Sequence, residues 1–261
     1  IKNSPKTINA ILSEKKLVKE IIKEHAITGI ISDNRLGVRS KKVPSVFITH
    51  QLTVLSGKTT WISSKLHQFF ISKFNECWVP DAEDKPNLTG KLGHLKDSDL
   101  DVKYIGVLSR LEKKELPIKY DLMVILSGPE PQRTFLEEKL IEELKDYKEK
   151  VVFIKGKIEP EQKKEELEKT FNESNFVLCR SGYTTVMDLA KLEKKAFFIP
   201  TPGQFEQEFL AKKYKREGIL PMAKQDDFRI VDLDAIWLYQ GLPKFNSNVD
   251  WKKLFLLFES E

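Results

Sequence analysis

A short polar run carries residue types that can bind a phosphate and a ribose. The run RSGYTT (residues 180–185) follows an apolar segment, and a carboxylate comes within the next helical turn. Glycine lets backbone N–H groups approach a ligand closely, and the positive first turn of a helix favours an anion. A carboxylate there can accept hydrogen bonds from vicinal ribose hydroxyls. The candidate residues are Arg180, Ser181, Gly182, Thr184, Thr185 and Asp188.

Two features of this run leave its role open. Ser181 precedes the expected helix and is predicted to be its N-cap, because a serine oxygen accepts a first-turn N–H well. A capped helix with Asp188 facing solvent explains the same residues without any ligand. The run by itself therefore favours neither interpretation.

Two further loops follow apolar segments of the second half. In SGPEPQR (127–133), Ser127 and Gly128 can bring backbone N–H groups to a phosphate, although an ordinary turn is an alternative. The loop is not a Walker A sequence, because the terminal Gly-Lys-Ser/Thr is missing. In TPGQFEQE (201–208), the amides and the carboxylate of Gln204, Glu206 and Gln207 suit the hydroxyls of a hexose. A polar helix start is the alternative there.

The elements that must position these loops alternate between apolar strands and amphipathic helices. Strands are predicted at 27–32, 45–49, 77–79, 102–107, 122–126, 151–154, 176–179 and 196–199. Helices are predicted around 8–22, 59–74, 134–147 and 165–172, then up to about 192 and 217, and over 249–258. Continuous apolar strands alternating with helices indicate parallel sheets that are covered on both faces.

This rhythm occurs in two blocks and predicts an α/β protein with two Rossmann-like, doubly wound parallel-sheet domains facing a cleft. The expected limits are 1–110 for an N-terminal acceptor-side domain and 111–245 for a C-terminal nucleotide-binding domain. Residues 246–261 are expected to form a helix that packs back on the N-terminal domain. Ligands of such sheets lie beyond the carboxyl ends of the strands, where the three loops are placed.

Composition excludes several classes of protein. The 261 residues include 44 basic and 39 acidic ones, so the surface is expected to be mixed, without the basic stripe and interleaved aromatics of a nucleic-acid-binding protein. A small positive excess can still favour approach to anionic lipid headgroups. Cys77 and Cys179 lie far apart, which excludes a zinc ribbon and fits a reducing cytoplasm. Asp99 and Asp101 have the spacing of a metal-binding pair but fall in a polar linker, so no metal site is expected.

The segment CRSGYTTVMDLAKLEKKAFFIPTPGQFEQEFLA (179–211) resembles the C-terminal signature of family 28 glycosyltransferases. These are GT-B enzymes that include the N-acetylglucosaminyltransferase of peptidoglycan lipid II synthesis. The matching residues are Arg180-Ser181-Gly182, Thr185, Asp188, Pro200 and Gln204 to Gln207. The family usually has Glu where this chain has the shorter Asp188.

The likeness extends upstream of the signature. VKYIGVLSR (102–110) is similar to the family's interdomain segment, and this similarity makes Arg110 a candidate diphosphate contact. PSVFITHQLTVLSG (44–57) resembles a segment whose His and Gln face the cleft, which points to His50 and Gln51. The family's opening strand and Gly-rich loop have no counterpart here, so the first N-terminal strands are expected to be missing. Only about ten residues, most of them charged, separate the predicted strand 151–154 from the helix that starts at 165. This spacing predicts either a short loop or an internal gap in the chain.

The resemblance implies transfer of a hexose from a nucleoside-diphosphate sugar, with uridine favoured, to an acceptor hydroxyl. It implies an inverting, metal-independent reaction without a cofactor. A general base is then needed, and His50 and Asp33 both follow N-domain strands. A hydrogen-bonding role for His50 and a loop cap for Asp33 are the alternatives.

The expected partners are a nucleotide-sugar donor, a glycan or lipid-linked acceptor and, peripherally, a membrane surface, but no nucleic acid. The expected location is the cytoplasm, at the inner membrane face. Two other functions stay open. A sugar-nucleotide 2-epimerase would share the nucleotide site and differ in the cleft carboxylates and histidines. A non-catalytic nucleotide-sugar-binding protein would bind the donor without turnover.

Overall fold

The computed structural model describes residues 4–155, 162–245 and 249–259. Its helices are α1 (Ser4–His25), α2 (Thr60–Ile71), α3 (Gln132–Glu143), α4 (Gln162–Asn172), α5 (Tyr183–Lys191), α6 (Phe205–Arg216) and α7 (Trp251–Phe255). Its strands are β1 (Ile30–Asp33), β2 (Ser45–Ile48), β3 (Glu76–Val79), β4 (Val102–Tyr104), β5 (Tyr120–Leu126), β6 (Val151–Lys155), β7 (Ser174–Cys179) and β8 (Lys195–Phe198). The described residues also include 3₁₀ helices at Gly57–Thr59, Gly90–Leu92, Ile230–Leu238 and Leu256–Phe258.

The chain divides into two compact units. The first comprises Ile1–Gly106 together with Asn246–Glu261, and the second comprises Val107–Phe245. Each unit contains one four-stranded sheet whose strands all run parallel. The predicted α/β class with two parallel-sheet domains is therefore confirmed.

The strands of the first sheet follow one another in the order β1-β2-β3-β4. Strands β2 and β3 are almost entirely buried, as their continuous apolar sequences predict for a sheet covered on both faces. The C-terminal segment packs on this unit, since the Trp78 ring of β3 lies 5.7 Å from the ring centroid of Phe255 and 6.3 Å from that of Phe258. The core of the unit is formed by Phe47, Leu52, Ile71, Phe74, Cys77 and Val79.

A fully buried carboxylate organises the polar loop that follows β3. Asp81 accepts hydrogen bonds from the backbone N–H groups of Ala82 (2.8 Å), Leu88 (2.8 Å) and Thr89 (2.7 Å), and from Thr89 Oγ1 (2.5 Å). Its Oδ2 also lies 3.3 Å from His94 Nε2. Burial alone would raise the pKa of Asp81, but these hydrogen bonds outweigh it and hold the pKa below the ordinary value. The loop is thus ordered around one buried charge. The role of Asp81 was not predicted from the sequence.

The second sheet has the strand order β6-β5-β7-β8. The chain moves from β5 to β6 on one side and then returns to place β7 on the other side. Adjacent strands that are followed by connections in opposite directions create a topological switch point, and the crevice beyond their carboxyl ends is the usual ligand site. In this unit the switch point lies between β5 and β7. A hydrophobic core cluster surrounds these strands and includes Leu122, Val124, Leu126, Phe176, Leu178 and Phe197.

Some expectations differ from the structure or lie beyond it. The 3₁₀ helix Ile230–Leu238, which packs its buried residues Leu233 and Ile236 into the second core, was not predicted because its apolar residues have no helical or strand period. The predicted short loop or gap after Ile154 falls on residues 156–161, which lie outside the described residues. Among the described helices, none combines the length and apolar character of a membrane span.

Candidate functional site

The three loops singled out in the sequence meet at one edge of the second sheet. They follow β5, β7 and β8, which are neighbours and parallel, so their carboxyl ends share that edge. The first and third loops lie close together, since a Cβ added to Gly128 would be 4.0 Å from Thr201 Oγ1. The first and second loops flank the β5–β7 switch point. The sequence-predicted residues of this unit are thus brought to the place where an α/β sheet binds its ligand.

The buried Arg180 side chain connects these loops by hydrogen bonds. The residue is 1% exposed. Its Nη1 donates to the carbonyl oxygens of Ile199 (3.1 Å) and Pro200 (3.2 Å), and its Nη2 donates to the carbonyl of Gln132 (2.8 Å) and to Gln225 Oε1 (2.6 Å). Burial lowers the pKa of Arg180 to about 10, so the guanidinium is charged at neutral pH. In this structure the guanidinium therefore hydrogen-bonds to the loops themselves.

The start of α5 corrects the expected cap. The N-cap residue is Gly182, with extended φ and ψ and no side-chain cap hydrogen bond. Ser181 is not the N-cap, because it lies one residue too early and its Oγ donates to the carbonyl of Gln207 at 2.8 Å. Gly182 has no side chain that could cap the first turn of α5. Thr184 is exposed and Thr185 half-buried within this turn.

The start of α3 differs from that of α5 in carrying its own anion. Glu130 accepts hydrogen bonds from the backbone N–H of Thr134 (3.2 Å) and from Thr134 Oγ1 (2.8 Å), and it pairs with Arg133. The pKa of Glu130 is lowered, chiefly by the hydrogen bond from the Thr134 hydroxyl. Gly128, two residues earlier, has φ +103, a conformation that L side chains rarely adopt. Of the two helix starts at the switch point, that of α3 thus has a carboxylate of its own segment beside it, whereas α5 begins at a glycine.

Asp188 lies one turn along α5 from this helix start and is half-buried. Its Oδ1 accepts a hydrogen bond of 2.6 Å from Ser109 Oγ, and Ser109 Oγ accepts one of 3.0 Å from the backbone N–H of Leu111. Burial raises the pKa of Asp188, while the Ser109 hydrogen bond and the charge of Arg110 oppose the rise. The structure thereby brings Arg110 near Asp188. Ser109 was not predicted as a site residue, because its position next to Arg110 was the only signal in the sequence.

The side-chain amides of two glutamines stabilise the conformation of the loop after β8. Thr201 N–H donates to Gln207 Oε1 (2.9 Å), and Gln207 Nε2 donates to Gln204 Oε1 (2.8 Å). Gln207 is 9% exposed, so its side chain shapes the loop, whereas Gln204 and Glu206 are half-buried and reach its surface. Of the three predicted sugar contacts, the structure leaves Gln204 and Glu206 as the better placed.

Three buried polar atoms at this edge have no hydrogen-bond partner. They are Arg180 Nε, Thr201 Oγ1 and Gln132 Oε1, and within the described part of the chain the only other such atom is His67 Nε2 in the first unit. Buried polar atoms are nearly always satisfied by protein or water, so water or another polar group can hydrogen-bond to these three atoms. Gln132 and Thr201 were not among the predicted site residues.

The two candidate bases lie in the first unit. Asp33 is the exposed last residue of β1, and half-buried His50 follows β2. Because β1 and β2 are adjacent and parallel, with Asp33 in register with Ile48, both residues lie at the carboxyl edge of the first sheet. In the described ranges no group of three or more His, Cys, Asp or Glu side chains could hold a metal ion.

Comparison with solved structures shows that the fold occurs in glycosyltransferases. The calicheamicin glycosyltransferase CalG4 superposes with a TM-score of 0.57 and 10% identity, over 88% of this chain and 69% of that one. The glycotransferase of kitacinnamycin gives 0.56 and 11%, over 88% and 71%. The glycosyltransferase SnogD from Streptomyces nogalater gives 0.53 and 10%, over 87% and 72%. At these identities the likeness concerns the fold.

Sequence comparison identifies the second unit more closely. No curated protein sequence matches the chain significantly. Residues 124–236 match the family described as the glycosyltransferase family 28 C-terminal domain. This range includes the loops after β5, β7 and β8, and it excludes Ser109 and Arg110. This match confirms the resemblance predicted from RSGYTT and its flanking loops: residues 124–236 are similar to the C-terminal domain of family 28 glycosyltransferases.

Proposed function

We propose that the protein is a GT-B glycosyltransferase that binds a nucleoside-diphosphate sugar at the β5–β7 switch point. The observation that carries the proposal is the construction of α5. Its N-cap residue is Gly182, which has no side chain in the path of an anion, and the carboxylate of Asp188, which accepts a hydrogen bond from Ser109, follows on the same helix. From Tyr183 to Asp188 the helix rises about 7.5 Å, a distance that a nucleotide can bridge between phosphate and ribose.

In this proposal each group of the site has one role. The N–H groups at the start of α5, the Ser127–Gly128 backbone and Arg110 stabilise the diphosphate. Asp188 accepts a hydrogen bond from a ribose hydroxyl through the oxygen that Ser109 does not occupy. Gln204 and Glu206 bind hydroxyls of the transferred hexose, and the resemblance favours uridine as the nucleoside.

The proposed reaction is a direct displacement at the anomeric carbon. The acceptor oxygen forms a bond to that carbon while the carbon–oxygen bond to the diphosphate breaks, and the electron pair passes to the β-phosphate oxygen. A base accepts the acceptor proton, and His50 and Asp33 are its candidates. This step inverts the anomeric configuration and uses the helix start and cations to stabilise the leaving group, so we expect turnover to persist in EDTA.

The acceptor is proposed to be a glycan or a lipid-linked hydroxyl compound, met at the inner face of a membrane in the cytoplasm. The proposal for the acceptor is supported by the resemblance to family 28, and the proposal for the donor is supported by the geometry of the second unit.

Incubation of the chain with UDP- and GDP-sugars, with and without polyprenyl-diphosphate-linked glycans, tests the function. Release of nucleoside diphosphate only in the presence of acceptor is the expected result. Formation of an isomerised sugar nucleotide would show an epimerase instead. Binding of the donor by calorimetry without turnover under any condition would show a binding protein and contradict glycosyl transfer.

A further inference from the structure

Helix α2 of the first unit makes polar contacts with the loop that follows β2. We call residues 50–56 the His50 loop; they lie between β2 and the 3₁₀ helix Gly57–Thr59. Positions three, four, seven or eight residues apart share one side of a helix. Four side chains on one side of α2 each form a hydrogen bond to the backbone of the His50 loop, and they are Thr60, Ser64, His67 and Gln68.

Two of these bonds fix the middle of the loop. Ser64 Oγ accepts the backbone N–H of Val54 at 3.0 Å, and Gln68 Nε2 donates to the backbone carbonyl of Leu52 at 3.1 Å. Leu52 is 1% exposed. Buried backbone groups need hydrogen-bond partners, so a shift of the loop along α2 would leave groups of the loop unsatisfied.

His67 contacts the beginning of the loop. Burial lowers the pKa of His67, and a hydrogen bond with the backbone of Gln51 opposes that fall. A bond that favours the charged imidazole is one that the ring donates, so its acceptor is the Gln51 carbonyl. Nε2 of His67 is buried and has no partner within the described ranges, which leaves Nδ1 as the donor. The ring is therefore neutral at neutral pH and carries its proton on Nδ1.

Packing against β2 fixes the orientation of the same ring. The His67 ring meets the Phe47 ring edge to face, with centroids 5.9 Å apart and an angle of 68° between the planes. Phe47 is fully buried in β2 and precedes His50 by three residues. One side chain thus contacts the strand before His50 and the residue directly after it.

The loop ordered around Asp81 approaches His50 as well. A Cβ added to Gly93 would lie 3.1 Å from the His50 carbonyl oxygen and 2.6 Å from Thr89 Oγ1. The Gly93 carbonyl accepts a hydrogen bond of 3.2 Å from the Tyr104 hydroxyl. The backbone of His50 is consequently in close contact with a second ordered segment of the first unit.

We propose that His67 is a positioning residue, which fixes the His50 loop at the carboxyl edge of the first sheet through the hydrogen bond from Nδ1 to the Gln51 carbonyl. The catalytic value of this position rests on the proposed function, in which His50 is a candidate base. A base must lie within hydrogen-bonding reach of the acceptor hydroxyl, and a displacement of about 1 Å can lower a rate about 100-fold. His67 itself acts through the loop, because its second nitrogen is buried.

Two substitutions separate the hydrogen bond of His67 from its packing. His67→Phe keeps a ring against Phe47 and removes the donor, whereas His67→Asn keeps an N–H donor near the place of Nδ1. We expect His67→Phe to lower kcat about tenfold, with the donor KM within about twofold of the wild type. We expect His67→Asn to restore kcat to within about threefold of the wild type.

Ile71→Val is the matched control on the same helix. Ile71 is 2% exposed, so the loss of one methyl group weakens core packing and lowers the melting temperature. The substitution removes no hydrogen bond to the His50 loop. We expect kcat of Ile71→Val to equal that of the wild type when both are assayed well below their melting temperatures.

NMR spectroscopy of the imidazole groups provides a test that needs no turnover. The chain has four histidines, so their signals can be assigned by single substitutions. The His50 signals should shift in His67→Phe, return to the wild-type positions in His67→Asn and stay in place in Ile71→Val. Amide hydrogen exchange at Leu52 and Val54 should accelerate about tenfold in His67→Phe alone.

The outcomes distinguish the proposal from a purely structural role and from failure of the proposed function. Unchanged His50 signals in His67→Phe would overturn the proposal, as would equal loss of kcat in His67→Phe and Ile71→Val. If His67→Phe does not fold, His67→Leu replaces it, because leucine matches asparagine in shape and has no donor. A wild type without turnover whose His50 signals respond as expected would refute glycosyl transfer and still support the positioning of the loop by His67.

Discussion

Ser109 Oγ lies 2.6 Å from Asp188 Oδ1 and donates a hydrogen bond to it, although the two residues are 79 positions apart in the chain. The same hydroxyl accepts the N–H of Leu111 and so fixes the segment around Arg110 to helix α5. One small side chain thereby connects the Asp188 carboxylate to the segment that carries Arg110, whose charge acts on the pKa of Asp188.

Replacement of Asp188 by Ala tests the placement of the ribose. If Asp188 accepts a ribose hydroxyl, Asp188→Ala should weaken nucleoside diphosphate binding at least tenfold, since a hydrogen bond to a charged group contributes about 1.5–3 kcal/mol. Isothermal titration with UDP and with UMP measures the change, and unchanged affinity would contradict the placement. Glu206→Gln is the control. It alters a proposed contact to the hexose, which UDP lacks, and should therefore leave UDP affinity unchanged.

Removal of the Ser109 hydroxyl tests its positioning role. Ser109→Ala removes the hydrogen bond that opposes the effect of burial, so the pKa of Asp188 should rise further. Nucleotide affinity should then fall about fivefold at neutral pH, and the pH below which affinity is lost should move upward. Titrations between pH 4 and pH 8 measure both effects. Ser109→Thr keeps the hydroxyl and should restore the wild-type profile; a purely structural role would leave the pH profile of Ser109→Ala unmoved.

We expect substitution of Arg180 to lower the stability of the fold more directly than it lowers nucleotide binding. Arg180→Met leaves the acceptors at Ile199, Pro200, Gln132 and Gln225 without a donor, which should lower the free energy of unfolding by about 3 kcal/mol or more. Urea unfolding measures the loss. Arg180→Lys keeps the charge but cannot reach all four acceptors, so its stability should fall between those of the wild type and Arg180→Met. A variant of wild-type stability that no longer binds nucleotide would instead show that Arg180 contacts the ligand.

Asp81 should give the first unit a dependence on acidic pH. Because its folded pKa is lowered, its stabilisation is fully present above the pKa of an unfolded aspartate, about 4, and is lost as the pH falls through the lower folded value. Asp81→Asn should lower the free energy of unfolding by about 3 kcal/mol at pH 7, with a smaller difference below pH 4. Urea unfolding at several pH values tests this. Exposed Asp84→Asn is the matched control, and a pH-independent difference for Asp81→Asn would contradict the assignment.

Local chemistry explains why much of the fold and the site could be predicted. Buried parallel strands need continuous apolar sequences, so the strand of Leu122–Leu126 and its partners are visible without a structure. Loops after such strands need glycine and hydroxyl residues to start a helix, which marked Gly128 and Gly182. The boundaries differ by a few residues because helix and strand ends depend on backbone hydrogen bonds that propensity does not specify.

The sequence by itself determined which residues stand at the ends of the strands, because apolar periodicity and turn residues are local properties. Only the tertiary structure decided what those residues do there. The strand order placed the switch point between β5 and β7. The packing of the loops left Arg180 buried. A hydrogen bond between residues 79 positions apart joined Ser109 to Asp188. The packing of one side of α2 on its sheet likewise decided that Trp61 and Phe69 face outward. These outcomes depend on which segments meet in space, and that depends on the summed packing of the whole unit rather than on any local pattern.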